Sequence, residues 1–325
     1  MMMTLNKPMF MNYFENGTLL QHDKDKETFL ISKTEIEGNF CLDQEQMEKL
    51  NKFIEMADSN AKVSIKLKGT ILEAKIDKPK LKANINTLSI ENKPTINLNE
   101  PKNIFTANVE KLKIAYAFSA KKSARAILNG VCIKNGYILA TDSFSAYKTD
   151  CNATDINIVI ANSFISILKD LKGDIELKTD GLKIWHTTKD NQTYIGRLIV
   201  GNYPDLDKIY NSLQENTEYR VDFSTTYDIF ALSSQNSYIG LFSNSFCINT
   251  STTSENAEFE GFLGFKLYGE DCALENEYWF STTMLKQVLN FVGDKRNVNI
   301  ALSTQSNMKP AIVNDEFLIL PVKKL

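Results

Sequence analysis

The side chains that could do chemistry are few and scattered. The two histidines, His22 and His186, cannot build a multi-histidine metal site, and the alternating stretch LKIWHT marks His186 as a strand residue rather than a base. Five cysteines stand singly at Cys41, Cys132, Cys151, Cys247 and Cys272 with no C-x-x-C pair. An odd count at wide spacing argues against a disulfide frame and against zinc, and fits small apolar fillers in a reducing compartment. Asp142 in ATDSFS follows a strand pattern, where an acid could act. A turn-forming Asp whose carboxylate accepts backbone N–H groups is the simpler reading. No Gly-rich phosphate loop, G-x-S-x-G or H-E-x-x-H is present. Nothing assembles a nucleophile, base and orienter, so no catalytic residue, metal or cofactor is expected.

The chain of 325 residues is 43% apolar and 24% charged, which excludes a disordered or fibrous protein. No apolar run is long enough to span a membrane. Met1 to Phe10 lacks a signal-peptide pattern, so a cytoplasmic location is expected. The net charge of −3 hides an asymmetry: residues 1–102 hold 15 basic and 15 acidic side chains, 103–210 hold 14 and 11, and 211–325 hold 8 and 14. The basic excess centres on Lys111, Lys113, Lys121, Lys122 and Arg125. Either this is a solvated face, or it is a phosphate-facing surface in an otherwise acidic protein.

The elements follow a repeating plan: an amphipathic helix, a turn, then alternating strands. Asp43 and Gln46 form a capping-box pattern before Met47, Leu50 and Ile54, and KVSIKLKG and TILEAKI follow. Asn162 or Ser163 is expected to cap a helix with Phe164, Leu168 and Leu171 inward and Gly173 closing it, before DIELKT and LKIWHT joined by the hairpin signal Asp180-Gly181. Thr282 or Thr283 precedes Leu285, Val288, Leu289 and Val292, before NVNIALS and the apolar end FLILPV. Further helices are expected in TANVEKLKIAYAFSA and STTYDIFALSS. The repeat is domain-sized. It predicts an α+β protein of three domains, 1–102, 103–210 and 211–325, joined near Glu91–Asn103 and Asn211–Tyr219.

The stretches AILNGVCIKNGYILATDSFSAYK, IVIANSFISILKDL, YIGRLIVGNYPDLDKIY, FSTTMLKQVLNFVGDKRNVNIALS and FLILPVKKL resemble, in order and spacing, the bacterial DNA polymerase III beta subunit, the DNA sliding clamp. The first domain fits in its later strands and its helix, and looks shortened because the family's opening strand and first helix have no counterpart. The resemblance implies a three-domain DNA clamp with helices packed on antiparallel sheets. It implies a head-to-tail homodimeric ring around duplex DNA, a processivity factor without catalysis, and contact with DNA that is sequence-independent. DNA polymerase and clamp loader would dock through linear peptide motifs.

Carried over by motif, the client-peptide pocket would include Leu128, Thr141, Ser143, Phe144, Ser145, Ala146, Pro204, Lys208, Ile209, Leu318, Ile319, Leu320, Pro321, Val322 and Lys323. Ser143 to Ala146 replace the family's glycine, basic residues and leucine, which removes charge near the pocket. DNA-facing candidates are Lys111, Lys113, Lys121, Lys122 and Arg125, with Lys52, Lys169 and Lys286 from other helices. The dimer interface would use Leu232 and the strand carrying Leu81, Ala83 and Ile85. The alternative is a non-encircling, clamp-like decoy or adaptor that binds the same client peptides.

Overall fold

The computed structural model describes residues 11–23, 27–96, 101, 103–234, 236–252 and 257–323. The Met1–Phe10 reading and part of the expected linker over Glu91–Asn103 lie outside them. The first third holds β1 (Met11–Glu15), β2 (Thr18–Asp23), β3 (Thr28–Lys33), β4 (Phe40–Asp43), α1 (Gln44–Glu55), β5 (Val63–Lys68), β6 (Ile71–Asp77) and β7 (Lys80–Asn86). The middle holds β8 (Asn103–Asn108), α2 (Val109–Phe118), β9 (Gly130–Lys134), β10 (Tyr137–Thr141), β11 (Ser145–Asp150), β12 (Asn157–Ala161), α3 (Asn162–Ile167), β13 (Asp174–Thr179), β14 (Lys183–Thr187) and β15 (Thr193–Arg197). The remainder holds α4 (Leu206–Ser212), β16 (Thr217–Val221), α5 (Ser224–Ile229), β17 (Tyr238–Ser243), β18 (Ser245–Asn249), β19 (Phe259–Phe262), β20 (Phe265–Leu267), β21 (Glu270–Cys272), β22 (Leu274–Ser281), α6 (Thr282–Phe291), β23 (Val298–Leu302), β24 (Ala311–Val313) and β25 (Phe317–Ile319). The fold is α+β, with few helices on antiparallel sheets. The second expected linker is not structureless: Asn211–Tyr219 runs from the end of α4 through a turn into β16.

The chain divides into two compact units, residues 1–113 with 158–200, and residues 114–157 with 201–325. In the first, one sheet runs β4-β1-β2-β3-β15-β14-β13-β8 and a smaller one β5-β6-β7. In the second, one sheet contains the order β9-β10-β11-β25-β24-β23-β16-β20-β21 and the other runs β19-β18-β17-β22. Each large sheet is stitched from strands far apart in sequence. In the first unit Ile31, Leu30 and Phe29 of β3 pair with Thr193, Tyr194 and Ile195 of β15. In the second, Ser145, Ala146 and Tyr147 of β11 pair with Ile319, Leu318 and Phe317 of β25.

Local chemistry explains the helix starts. Asp43 Oδ1 accepts the Gln46 N–H at 2.8 Å and Gln46 Oε1 accepts the Asp43 N–H at 2.8 Å, a complete capping box. Met47 and Leu50 then pack with Phe14, Phe40, Leu42, Leu72, Ala74 and Ile85. The cap expected at Asn162 or Ser163 is corrected, and α6 starts in the same way. α3 begins after Ala161 and α6 after Ser281, neither giving a side-chain cap bond, because each helix continues directly from a strand whose pairing already sets the entry. α3 also ends at Ile167, so Leu171 lies beyond it, and α5 ends at Ile229, so Leu232 follows it in a turn.

A strand glycine marks where α3 lies closest to its sheet. A Cβ on Gly196 of β15 would stand 2.4 Å from Phe164 Cβ and 2.7 Å from a ring carbon. Side-chain freedom at this position is excluded by the helix, which is the common reason for glycine inside a strand. Gly196→Ala is expected to lower the stability of the first unit by about 1–3 kcal/mol. Urea unfolding followed by Trp185 fluorescence measures it, and an unchanged midpoint would show that α3 is free to shift.

Candidate functional site

All of the pocket positions expected from the sequence fall in the second unit. The site begins with the turn between β10 and β11. Thr141 and Ala146 are the last paired residues, so Asp142 to Ser145 form the loop. Asp142 Oδ1 accepts the N–H of Phe144 at 2.9 Å and of Ser145 at 2.7 Å, and the Ser145 hydroxyl at 3.1 Å. Thr141 Oγ1 donates to the Ser145 carbonyl at 2.7 Å and accepts the Ser143 N–H at 3.0 Å. Asp142 is thus a turn-former, with its accepting oxygen spent on the backbone.

The same turn is built at residues 179–183. Asp180 Oδ1 accepts from Leu182 at 2.9 Å and Lys183 at 2.7 Å, while Thr179 Oγ1 donates to the Lys183 carbonyl at 2.7 Å. Burial pushes the Asp180 carboxyl up, but the N–H groups of Lys183 and Leu182 outweigh it and hold the group below its ordinary range. The two-residue hairpin expected from Asp180-Gly181 is corrected: Thr179 pairs with Ile184, so the loop is longer and organised by the Asp side chain. The third turn residue has φ +91° at Gly181 and φ +83° at Ser143.

Three ties bring distant segments to this turn. The β11–β25 ladder continues as the Leu320 N–H donates to the Phe144 carbonyl at 2.9 Å. The Thr141 N–H donates to the Tyr203 hydroxyl at 3.0 Å. The Tyr210 hydroxyl of α4 donates to the Glu316 carbonyl at 2.7 Å, and Lys148 pairs with Asp207. Burial raises the Tyr203 and Tyr210 hydroxyls above the ordinary tyrosine range, so both stay protonated. Beneath lies a ring cluster: Phe118 is 5.3 Å from Phe317 and 6.0 Å from Tyr147, and Tyr147 is 5.1 Å from Phe317.

The expected pocket residues sort into two sets. Leu128, Thr141, Ser145, Ala146, Leu318 and Ile319 are buried. Ser143, Phe144, Lys208, Ile209 and Lys323 are exposed, and Pro204, Leu320, Pro321 and Val322 half-buried. Phe144, 58% exposed, is the prominent apolar group. The apolar end read as one strand, FLILPV, is a paired strand to Ile319 with one further ladder bond at Leu320. Beyond it Val322 is held by its N–H donating to the Trp279 carbonyl at 2.8 Å, and Lys323 by its carbonyl accepting from Thr252. Sequence reasoning missed Tyr210, Glu316 and the Tyr203 hydroxyl as the parts that hold the site, because a hydroxyl reaching a distant backbone group leaves no local pattern.

The expected DNA-facing groups are placed differently from one another. Lys52, Lys122, Arg125 and Lys169 are exposed. Lys111 is half-buried near the start of α2, where its N–H donates to Asn108. Lys113 donates to the Leu171 carbonyl at 2.8 Å and Lys286 to the Phe230 carbonyl at 3.5 Å. The Lys121 ammonium lies 3.2 Å from the Tyr116 ring centroid and donates to the Tyr116 carbonyl. Burial lowers its pKa to about 8 against an opposing pull from Asp142. Of the expected interface residues, Leu232 is 71% exposed and Leu81 36%, Ala83 is half-buried, and Ile85 packs in the core against Leu72 and Ala74. Among the described residues no group of three or more His, Cys, Asp or Glu side chains could cage a cation, and no helix is long and apolar enough to cross a membrane.

This architecture is shared with solved bacterial replication proteins. The DNA polymerase III subunit beta of Pseudomonas aeruginosa matches with a TM-score of 0.73 at 17% identity, over 97% of this chain and 92% of that one. The sliding clamp of Bartonella birtlesii, solved with griselimycin, matches at 0.73 and 12%, over 97% and 91%. The Helicobacter pylori beta clamp, solved with a DNA ligase peptide, matches at 0.71 and 15%, over 97% and 91%. No family model matches the chain, and no curated protein is recognisably similar to it in sequence. The fold is therefore that of a DNA clamp, and specifically of the DNA polymerase III beta subunit.

Two outcomes follow from the site. Ser143 holds a left-handed backbone that costs a non-glycine residue about 1–2 kcal/mol, so Ser143→Gly is expected to stabilise the second unit by about 1 kcal/mol in urea unfolding. A loss of stability would mean that the serine side chain holds the turn. In an NMR titration Lys121 is expected to titrate near 8, well below the ordinary lysine value of about 10.4. Because its folded pKa is depressed, the unfolded chain binds more protons across that window, and this group's contribution to stability rises with pH through it. Titration of Lys121 in the ordinary range would show that its ammonium is not desolvated.

Proposed function

We propose that this chain is a DNA sliding clamp of the beta type. In this reading it is a non-catalytic processivity factor that acts in the cytoplasm, closes around duplex DNA as a head-to-tail homodimer, and tethers a polymerase, loader and other clients by their peptide motifs. Besides the shared fold, one observation carries the reading. The third strand of a first triplet pairs with the third strand of a later triplet twice within the chain, as β3 with β15 and as β11 with β25. The corresponding strands left over are β19 and β7, and each ends its own sheet, in the orders β19-β18-β17-β22 and β5-β6-β7. The two small sheets are the halves of a third large sheet.

A second copy completes it by pairing β19 of one protomer with β7 of its partner. Unpaired strand edges otherwise invite aggregation. Phe262 on β19, 75% exposed, and Leu232 and Leu81 then find cover. This reading keeps three domains per chain with limits near 102/103 and 210/211, and six domains per ring. Encirclement removes the need for tight binding: the exposed lysines Lys52, Lys122 and Lys169 and Arg125 would meet phosphates weakly, without sequence preference, and permit sliding. The client site is the floor and rim around Phe144, Leu320 and Val322, where apolar anchors of a peptide would seat. With Ser143 to Ala146 in place of the family's glycine, basic residues and leucine, the preference is for apolar over acidic client side chains.

Light scattering after size exclusion tests closure. The expected mass is twice the chain mass of 36.8 kDa and persists on dilution, while Leu232→Lys gives single chains. A mass of one chain at every concentration would favour the non-encircling adaptor, and an unchanged dimer in the variant would remove Leu232 from the interface.

A further inference from the structure

Between positions 61 and 86 the chain carries seven lysines and two acids, inside a stretch, 1–102, whose charges sum to zero overall. The β5-β6-β7 sheet sorts them onto one face. Ile65, Leu67, Leu72, Ala74, Ala83 and Ile85 pack with Met47 and Leu50 of α1. Alternation and register put Lys66, Lys68, Glu73, Lys75, Lys80 and Lys82 on the opposite face, with Asp77 beside Lys80. The lysine face thus points away from α1 and from Lys52 on it.

The centre of this face is built. Glu73 sits almost buried, its side chain 9% exposed, and pairs with Lys82 at 2.6 Å, Lys68 at 3.0 Å and Lys75 at 3.0 Å. The three lysine side chains stay half-exposed or more. One carboxylate shared by three ammonium groups leaves two positive charges uncancelled. Lys75 and Lys82 are directly opposite across the strands, a like-charge placement that costs stability. Glu73 offsets that cost and fixes where the charges stand. The three carboxylate contacts also hold Glu73 ionised, below the ordinary glutamate range.

Such a face suits one kind of partner. Lysine is depleted in protein–protein interfaces, which rely on aromatic, Met and Arg anchors. The lysine face offers no aromatic side chain, so bases have nothing to stack on. What it offers is a flat field of point charges on flexible stems, the chemistry of phosphate contact without sequence readout. We propose that the lysine face of the β5-β6-β7 sheet is a second contact surface for the phosphate backbone of duplex DNA, separate from the helix-borne lysines. It goes beyond the clamp reading and does not require a closed ring, since open duplex can lie on it.

The test is fluorescence anisotropy of a short labelled duplex titrated with the full chain between 50 and 200 mM salt, with mass measured separately. Each phosphate contact contributes about −0.9 to the slope of log K against log salt. Lys66→Ser/Lys68→Ser/Lys75→Ser leaves the β7 edge intact. It is expected to flatten the slope by about 2.7 and to weaken binding at least tenfold at the lowest salt. Glu73→Gln frees three ammonium groups and is expected to tighten binding and steepen the slope, which a merely loosened fold would not do. Should the triple variant melt early, Lys66→Ser alone, opposite Glu73 in register but not one of its three ion-pair partners, is expected to flatten the slope by about 0.9. Binding that matches the parent at every salt in these variants would overturn the proposal. So would weaker binding by Glu73→Gln, absence of duplex binding by the parent, or tighter binding of a polyglutamate peptide than of duplex. Because the readout is equilibrium contact with open duplex, a chain that proves monomeric can still pass it, and a closed ring can fail it.

Discussion

The strand junctions β3–β15 and β11–β25 are what the rest of the molecule depends on. Each joins segments more than a hundred residues apart, and each satisfies backbone N–H and C=O groups that would otherwise line an open edge. The β11–β25 junction sets the position of everything in the candidate site. It places Phe144 against Leu320, carries Glu316 to Tyr210, and closes the rings of Phe118, Tyr147 and Phe317 into one cluster. A single geometric rule, third strand to third strand, serves twice inside the chain.

The site itself shows how a turn becomes a platform. One Thr-Asp pair binds its own loop, and the chain uses the device twice, at 141–145 and at 179–183. At the second position glycine takes the left-handed backbone; at the first a serine does, beside an exposed phenylalanine. Each turn accepts one strand N–H on its loop carbonyl, Leu320 to Phe144 in the first and Leu198 to Leu182 in the second, and the first is also tied to the Tyr203 hydroxyl. The difference in role lies in what reaches the turn, not in the turn.

Electrostatics divides the first unit in the same economical way. Helix α1 covers one face of the β5-β6-β7 sheet with apolar side chains, and the alternation that buries those residues forces the lysines outward. Three of them are held by Glu73 rather than left loose. Charge that looks diffuse along the sequence is thereby gathered on one surface, which the totals of 15 basic and 15 acidic residues over 1–102 conceal.

Much of this was legible in residues alone. Period-two and helical alternation, the Asp43–Gln46 box, the recurring helix-then-strands plan and the motifs around Thr141 and Pro204 all act over short range, so the α+β class and the clamp resemblance could be read directly. The helix lengths, the four-residue Asp loops, the ammonium of Lys121 over Tyr116, the burial of Ile85 and the gathering of lysines around Glu73 could not. The sequence by itself determined which elements form and which faces are apolar, because backbone propensity and side-chain periodicity are local. Only the tertiary structure decided which strand edges meet, which hydroxyls anchor distant carbonyls and which charges share a surface, because those depend on contacts between segments whose separation along the chain carries no periodic signal.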